Sequence, residues 1–258
     1  MLFIQKKSCP DHIQAEIDRL IDSDEWRSIP EEPSSEQAEI IREQYFDKLT
    51  KSSVRETLIT EQHGLCAYCM ASVVNSKDST TIEHLIPLSK SKAGSMNYQN
   101  WLAVCMGGQN TEPAQGEDRV VCCDVKKGNN ITTLSPLNKA QMERIAYYDD
   151  GTVFYNAPSG KEQRKITHEI NYTFGLNGKV DPKTGHSRKD TSTGIVKSRK
   201  DAYIAMQDLL LELDNTGELT PDVITKFRHS LLSDMVWEPF VGVKLFVLNM
   251  FSEHLTNT

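Results

Sequence analysis

Cys66-Ala-Tyr-Cys69, then Ile82-Glu83-His84-Leu85-Ile86-Pro87, then Asn100-Trp-Leu-Ala-Val-Cys105 and finally Cys123-Asp124-Val-Lys-Lys127-Gly128 form the stretch that decides how this chain reads. Two thiol pairs bracket an acid–histidine dipeptide, and a second acid follows the last cysteine directly. Cys66 and Cys69 have the spacing at which two thiolates bind one Zn²⁺ from a tight turn. Cys105 and Cys123 lie at a separation that a folded unit can close, so the four predict a Cys₄ zinc site, with Cys122 the alternative to Cys123. A redox Cys-x-x-Cys is the competing interpretation. It needs an accessible thiol of low pKa and no second pair.

Thr80 to Ile86 reads as a strand that Pro87 limits. Adjacent strand residues point to opposite faces, so Glu83 and His84 reach one site only if the strand is distorted or the site wraps its edge. A histidine near neutral pH can take a proton from water. Glu83 and Asp124 offer hard oxygens for Mg²⁺ or Mn²⁺, and such an ion offsets charge on a phosphate under attack. The amide of Asn100 both donates and accepts, which suits pinning a loop. Lys126 and Lys127 read either as phosphate contacts or as a solvated helix face. The plainer alternative for Glu83-His84 is a structural histidine beside a surface acid.

These residues resemble the HNH endonuclease family, the ββα-metal nucleases, whose Cys₄ members read approximately C-x-x-C, acid-His-x-x-P, N-L-x-x-x-C and C-N-x-x-K-G. By that resemblance His84 is the general base and Glu83 the metal-binding acid before it. Asn100 is the structural asparagine, and Asp124 is the second ligand for a catalytic Mg²⁺ or Mn²⁺, where Asn or His usually stands. Cys66, Cys69, Cys105 and Cys123 are the structural zinc ligands, and Cys123 is preferred to Cys122 because the residues after it then fall into the pattern. The chain departs from the family in the longer Glu83, the extra charge of Asp124, Trp101 after Asn100, and the wide gap between the last two cysteines. The core motif spans about a quarter of the chain.

Within the family, the opening Ile4-Gln-Lys-x-x-Cys-Pro10-Asp-His-Ile13, Cys105-Met-Gly-Gly108 and Cys122-Cys123-Asp124-x-Lys-Lys-Gly128 are similar to the PtuB group of Septu and retron-associated anti-phage systems. That similarity implies a PtuA-like ATPase partner and, in some systems, a retron reverse transcriptase with its DNA–RNA product. DNA is the family's default substrate. The motif itself does not separate DNA from structured RNA such as tRNA. Two other interpretations stand beside the nuclease: a non-catalytic zinc module that binds nucleic acid or protein, and the thiol redox protein.

Outside the motif, the 258 residues are 38% hydrophobic, enough for a substantial core. No run of eighteen apolar residues predicts a membrane span, and the N-terminus lacks the apolar segment of a signal peptide, so a cytoplasmic protein is expected. Six cysteines there are metal ligands or free thiols rather than disulfides, with Cys9 incidental. The net charge of −7 argues against a protein that coats nucleic acid indiscriminately. Residues 161–200 nevertheless hold ten Lys/Arg against four Asp/Glu, a local +6 that leaves the remainder at −13. Arg188, Lys189, Lys197, Arg199 and Lys200 in that stretch are the candidate phosphate contacts.

An α+β, mainly helical fold is expected: a ββα-metal core with a Cys₄ knuckle, flanked by N-terminal and C-terminal helices. Three regions are anticipated, 1–63 helical, 64–135 the nuclease core, and 136–258 largely helical for substrate or partner binding. Periodicity predicts helices over 11–22, with Asp11 as cap, 35–62, 199–214 and 221–235, a hairpin within 141–157, and an irregular insert at 106–119. The apolar segment 240–255 reads as a core helix or a partner-binding one.

Overall fold

The computed structural model describes residues 1–112, 115, 118–190 and 194–257. The fold is α+β, with about half of the chain helical and, among the described residues, three two-stranded antiparallel sheets. Helices α1 (Asp11–Ile21), α2 (Asp24–Ser28), α3 (Ser35–Ile40) and α4 (Lys51–Glu61) open it. In α1 the Ile13 and Ile17 side chains, one turn apart, are buried. The N-cap of α1 is Pro10, which makes no side-chain cap; Asp11 sits in the first turn and complements the helix dipole instead.

The helix expected over 35–62 is not continuous. After α3, which opens on a Ser34–Gln37 capping box, the chain makes a π turn at Ile41–Tyr45 and a 3₁₀ turn at Phe46–Lys48, then an extended Leu49 before α4. The buried residues explain the break. At about 100° per residue, a straight helix would hold Val54 and Leu58 roughly 140° around its axis from Ile41 and Tyr45. All four are buried, and so are Phe46 and Leu49. Only a chain that turns between the two sets satisfies both.

Next come β1 (Thr80–His84), α5 (Lys92–Ser95), β2 (Trp101–Cys105) and α6 (Cys123–Lys127). β1 and β2 pair from Thr80↔Cys105 to His84↔Trp101, with α4 packed on both strands and α6 on β2. Trp101 through Val104 of β2 are fully buried, which makes this hairpin the centre of the molecule.

The remainder consists of α7 (Lys139–Met142), β3 (Ile145–Tyr147), β4 (Val153–Tyr155), α8 (Lys161–His168), β5 (Lys179–Val180), β6 (Ser187–Lys189), α9 (Ile195–Asn215), α10 (Pro221–Leu232) and α11 (Val241–Asn257). α9 starts four residues before the expected Arg199 and α10 ends before Met235. α11 packs on α9, α10 and β3, and it buries Val241, Val243, Val247 and Leu248. One continuous apolar cluster draws on residues from Met1 to Leu248. Among the described residues, no helix is long and apolar enough to cross a membrane.

Candidate functional site

Four sulfurs converge at one end of the central hairpin. Cys66 and Cys69 sit in a tight turn in which the Met70 amide donates to the Cys66 carbonyl and the Ala71 amide donates to Cys69 Sγ at 3.4 Å. Cys105 ends β2 and Cys123 begins α6. The Sγ atoms are 3.9 Å apart for Cys66–Cys123, 3.6 Å for Cys69–Cys105 and 3.7 Å for Cys105–Cys123, and all four lie within 4.8 Å of one another. A tetrahedron with Zn–S bonds of about 2.3 Å has S–S edges of about 3.8 Å. The spacing therefore fits a zinc ion. Hydrogen bonding to Cys105, with burial behind it, pushes the Cys69 and Cys123 thiols up. Four clustered sulfurs cannot all ionise without a cation among them.

The long gap between Cys105 and Cys123 closes through glycine. Gly107 takes φ +56°, and its carbonyl accepts the Cys122 amide at 2.9 Å. A Cβ there would stand 2.2 Å from the Cys122 carbonyl oxygen. Cys122 Sγ lies 3.6 Å from Cys123 Sγ, yet Cys123 is the one that completes the four-sulfur group.

Beside the cluster lies a cleft of about 480 Å³ lined by Glu83, His84 and Asp124 together with Arg42 and Phe46. Both adjacent strand residues thus reach one space, because β1 ends there and the cleft wraps its edge. Glu83 Oε1 accepts Lys127 Nζ at 2.7 Å and the Tyr68 hydroxyl at 3.0 Å. Lys127 Nζ also donates to the His84 carbonyl at 3.2 Å. Burial, then the hydrogen bond and negative charge of Asp124, push Glu83 up to about 8 against the pull of Lys127.

His84 Nε2 lies 2.9 Å from the Ser95 carbonyl, which also accepts Trp101 Nε1 at 3.0 Å. A carbonyl only accepts, so Nε2 carries the proton and Nδ1 keeps the lone pair. Phe46 packs on the ring at 4.4 Å. Burial lowers His84 to about 4, opposed by the Ser95 bond and reinforced by Lys51 and Lys127, so the imidazole is neutral near pH 7.

Asn100 does not line the cleft. Its Oδ1 accepts the Ile86 amide at 2.8 Å, and its Nδ2 donates to the Ile86 and Gly94 carbonyls at 2.9 Å each. These bonds tie the chain after His84 to the start of β2 and hold the Ser95 carbonyl near the ring.

Two of the cations read as phosphate contacts are interior. Lys127 is fully buried and committed to Glu83, while its neighbour Lys126 is exposed. Arg199 is 1% exposed, with Nη2 on the Leu176 carbonyl and Asn177 Oδ1. Of the others, Arg188 pairs with Asp181 at 3.8 Å and Lys197 with Asp201 at 2.6 Å; Lys189 is half-buried on β6 and Lys200 exposed on α9. None of these four lines the cleft. Tyr68 and Ser95 support the site without being singled out by the sequence. Tyr68 reads there only as the spacer between two cysteines, and Ser95 acts through its backbone, which no side chain announces.

The chain matches no protein-family model and no curated protein.

Proposed function

We propose that this protein is a metal-dependent endonuclease of the HNH type, with β1, β2 and α6 as its ββα-metal core and a structural zinc at the four cysteines. The observation that carries this is the convergence of Glu83, His84 and Asp124 on one cleft beside the four-sulfur cluster. A purely structural zinc module gives no reason for two carboxyls and a neutral imidazole to be gathered there.

The Glu83–Asp124 oxygen pair suits a hard divalent ion, Mg²⁺ or Mn²⁺. When bound, such an ion offsets the charge of the phosphate under attack. His84 accepts the proton of the attacking water at Nδ1 while Ser95 holds the opposite nitrogen. Lys127 and Tyr68 hold Glu83, and Asn100 holds the loop on which the ring's orientation depends. The scissile bond is a phosphodiester of DNA or of a structured RNA. The role as effector of an anti-phage system with a PtuA-like ATPase, and with a retron reverse transcriptase and its product, rests on the sequence resemblance alone.

The test is cleavage of plasmid DNA and total cellular RNA by wild type and His84→Ala, with Mg²⁺ or Mn²⁺, with and without the ATPase. Cleavage is expected to fall by at least about 10²-fold in the variant, with one zinc per chain retained. Undiminished cleavage by His84→Ala would remove the base assignment.

A further inference from the structure

A second depression, of about 260 Å³, adjoins the cleft and shares Phe46, Asp47, Thr81 and Ile82 with it. Three cations line it: Lys51 and Arg55, one turn apart on α4, and Lys77 in the turn before β1. Among the described residues that line it, Asp47 is the one acid, and it pairs with Lys51 at 3.2 Å. Lys51 Nζ also lies over the Phe46 ring, 2.9 Å from its centroid, and Arg55 Nε donates to Asn75 Oδ1 at 3.4 Å. Lys51 and Arg55 are thus held in place and Lys77 is exposed beside them, on a chain whose overall charge is negative. An excess of positive charge runs alongside β1, from Lys51, whose ammonium lies over the ring that packs on His84, to Lys77 in the turn before Thr80.

We propose that Lys51, Arg55 and Lys77 form a phosphate-binding shelf that carries the backbone of the nucleic acid entering the cleft. From Thr80 to His84 the strand rises about 13 Å, which matches the axial rise of roughly four nucleotides of a duplex strand. The shelf therefore carries the backbone outward over about that length, with Lys51 nearest the bond at the cleft and Lys77 farthest from it. Its cations contact backbone rather than bases, so it adds affinity without sequence preference. This deepens the nuclease assignment and rests on it for the direction of the strand, but not for the binding itself.

The experiment is equilibrium binding of the full chain, without added divalent ion, to a 30-base-pair DNA duplex, the corresponding single strand and an RNA stem-loop, over a series of salt concentrations. Arg55→Gln/Lys77→Gln is compared with wild type and with the control Lys226→Gln/Arg228→Gln on α10. For the duplex, the slope of log affinity against log salt is expected to fall by about 2 in the shelf variant, near one for each phosphate no longer neutralised. The control should keep the wild-type slope. Zinc content and thermal unfolding verify that each variant is folded. An unchanged slope, an equal fall in the control, or no wild-type binding to any probe at low salt would each overturn the shelf. Weaker binding by the shelf variant of a protein that cleaves nothing would support the shelf and count against the nuclease.

Discussion

Lys127 is the residue whose burial says most about how the cleft is held. Its ammonium is fully buried, bonded to Glu83 and to the backbone carbonyl of His84, and so fixes two consecutive strand residues at once. Removing one partner of a buried pair costs about 3–5 kcal/mol, because the other charge is stranded. Lys127→Met should therefore destabilise the zinc-loaded chain by about that much at alkaline pH. Glu83 binds its proton more tightly when folded, with a value of about 8 against an ordinary 4.5. Between those values the folded state holds more protons than the unfolded state, so this group's contribution falls as pH rises. Without Lys127 the proton is held to still higher pH. The loss measured by urea denaturation should therefore be smaller at pH 6.5 than at pH 9. A loss independent of pH would mean that Lys127 acts by packing alone. The clustering of Cys66, Cys69, Cys105 and Cys123 was readable from the sequence by residue type and spacing, and Glu83, His84 and Asp124, singled out there by resemblance to a family motif, line one cleft. The division of labour between Lys126 and Lys127 was not readable. Adjacent lysines on a five-residue helix differ only in which one faces β1, and that is fixed by how α6 docks.

At the scale of elements, the hairpin 145–155 and the helices α9, α10 and α11 were legible, because each has one buried stripe or one clear turn, whereas α7 and α8 were not anticipated. The segment 35–62 was not, because its apolar residues form two stripes that a single-helix interpretation merges. The connection between Cys105 and Cys123 was recognisable only as irregular. Its decisive residue is Gly107, where φ is positive and the Cys122 carbonyl occupies the space of a side chain. Gly107→Ala must push apart the two segments that bring Cys105 and Cys123 together. A positive φ alone costs about 1 kcal/mol for a non-glycine residue, which Gly217→Ala reports, since its added Cβ meets nothing within 4 Å. Gly107→Ala should go well beyond that. Its melting temperature should fall by more than about 5 °C, and its zinc content should drop below one per chain by elemental analysis, while Gly217→Ala stays fully loaded. Full zinc occupancy in Gly107→Ala would show that the cysteines find each other without this approach.

At the scale of the whole molecule, the cysteine cluster and the C-terminal helices share one structural unit. The segment that leads into α11 is bonded to the cysteine turn along its length. The Trp237 amide donates to the His63 carbonyl at 2.9 Å and the Phe240 amide to the Met70 carbonyl at 3.0 Å, while the Trp237 ring stacks on His63 at 3.7 Å. Gly242 of α11 approaches so closely that a Cβ there would meet Met70 Sδ at 2.6 Å. α11 in turn buries its valines against α9 and β3. The cysteine turn and the segment leading into α11 are therefore joined by backbone as well as by side-chain packing, which predicts that they open together. Metal binding to a site that exists only in the folded state is itself folding free energy. It follows that zinc release, followed with a chromogenic chelator, and loss of helix, followed by far-ultraviolet circular dichroism, should trace one transition in urea with the same midpoint. Stripping the zinc beforehand should move the entire helical transition to lower urea rather than melt a fraction of it. A first phase that releases zinc while the signal of α9–α11 persists would place the cysteine cluster on a separately folding unit, and would make the contacts at His63 and Met70 incidental to stability.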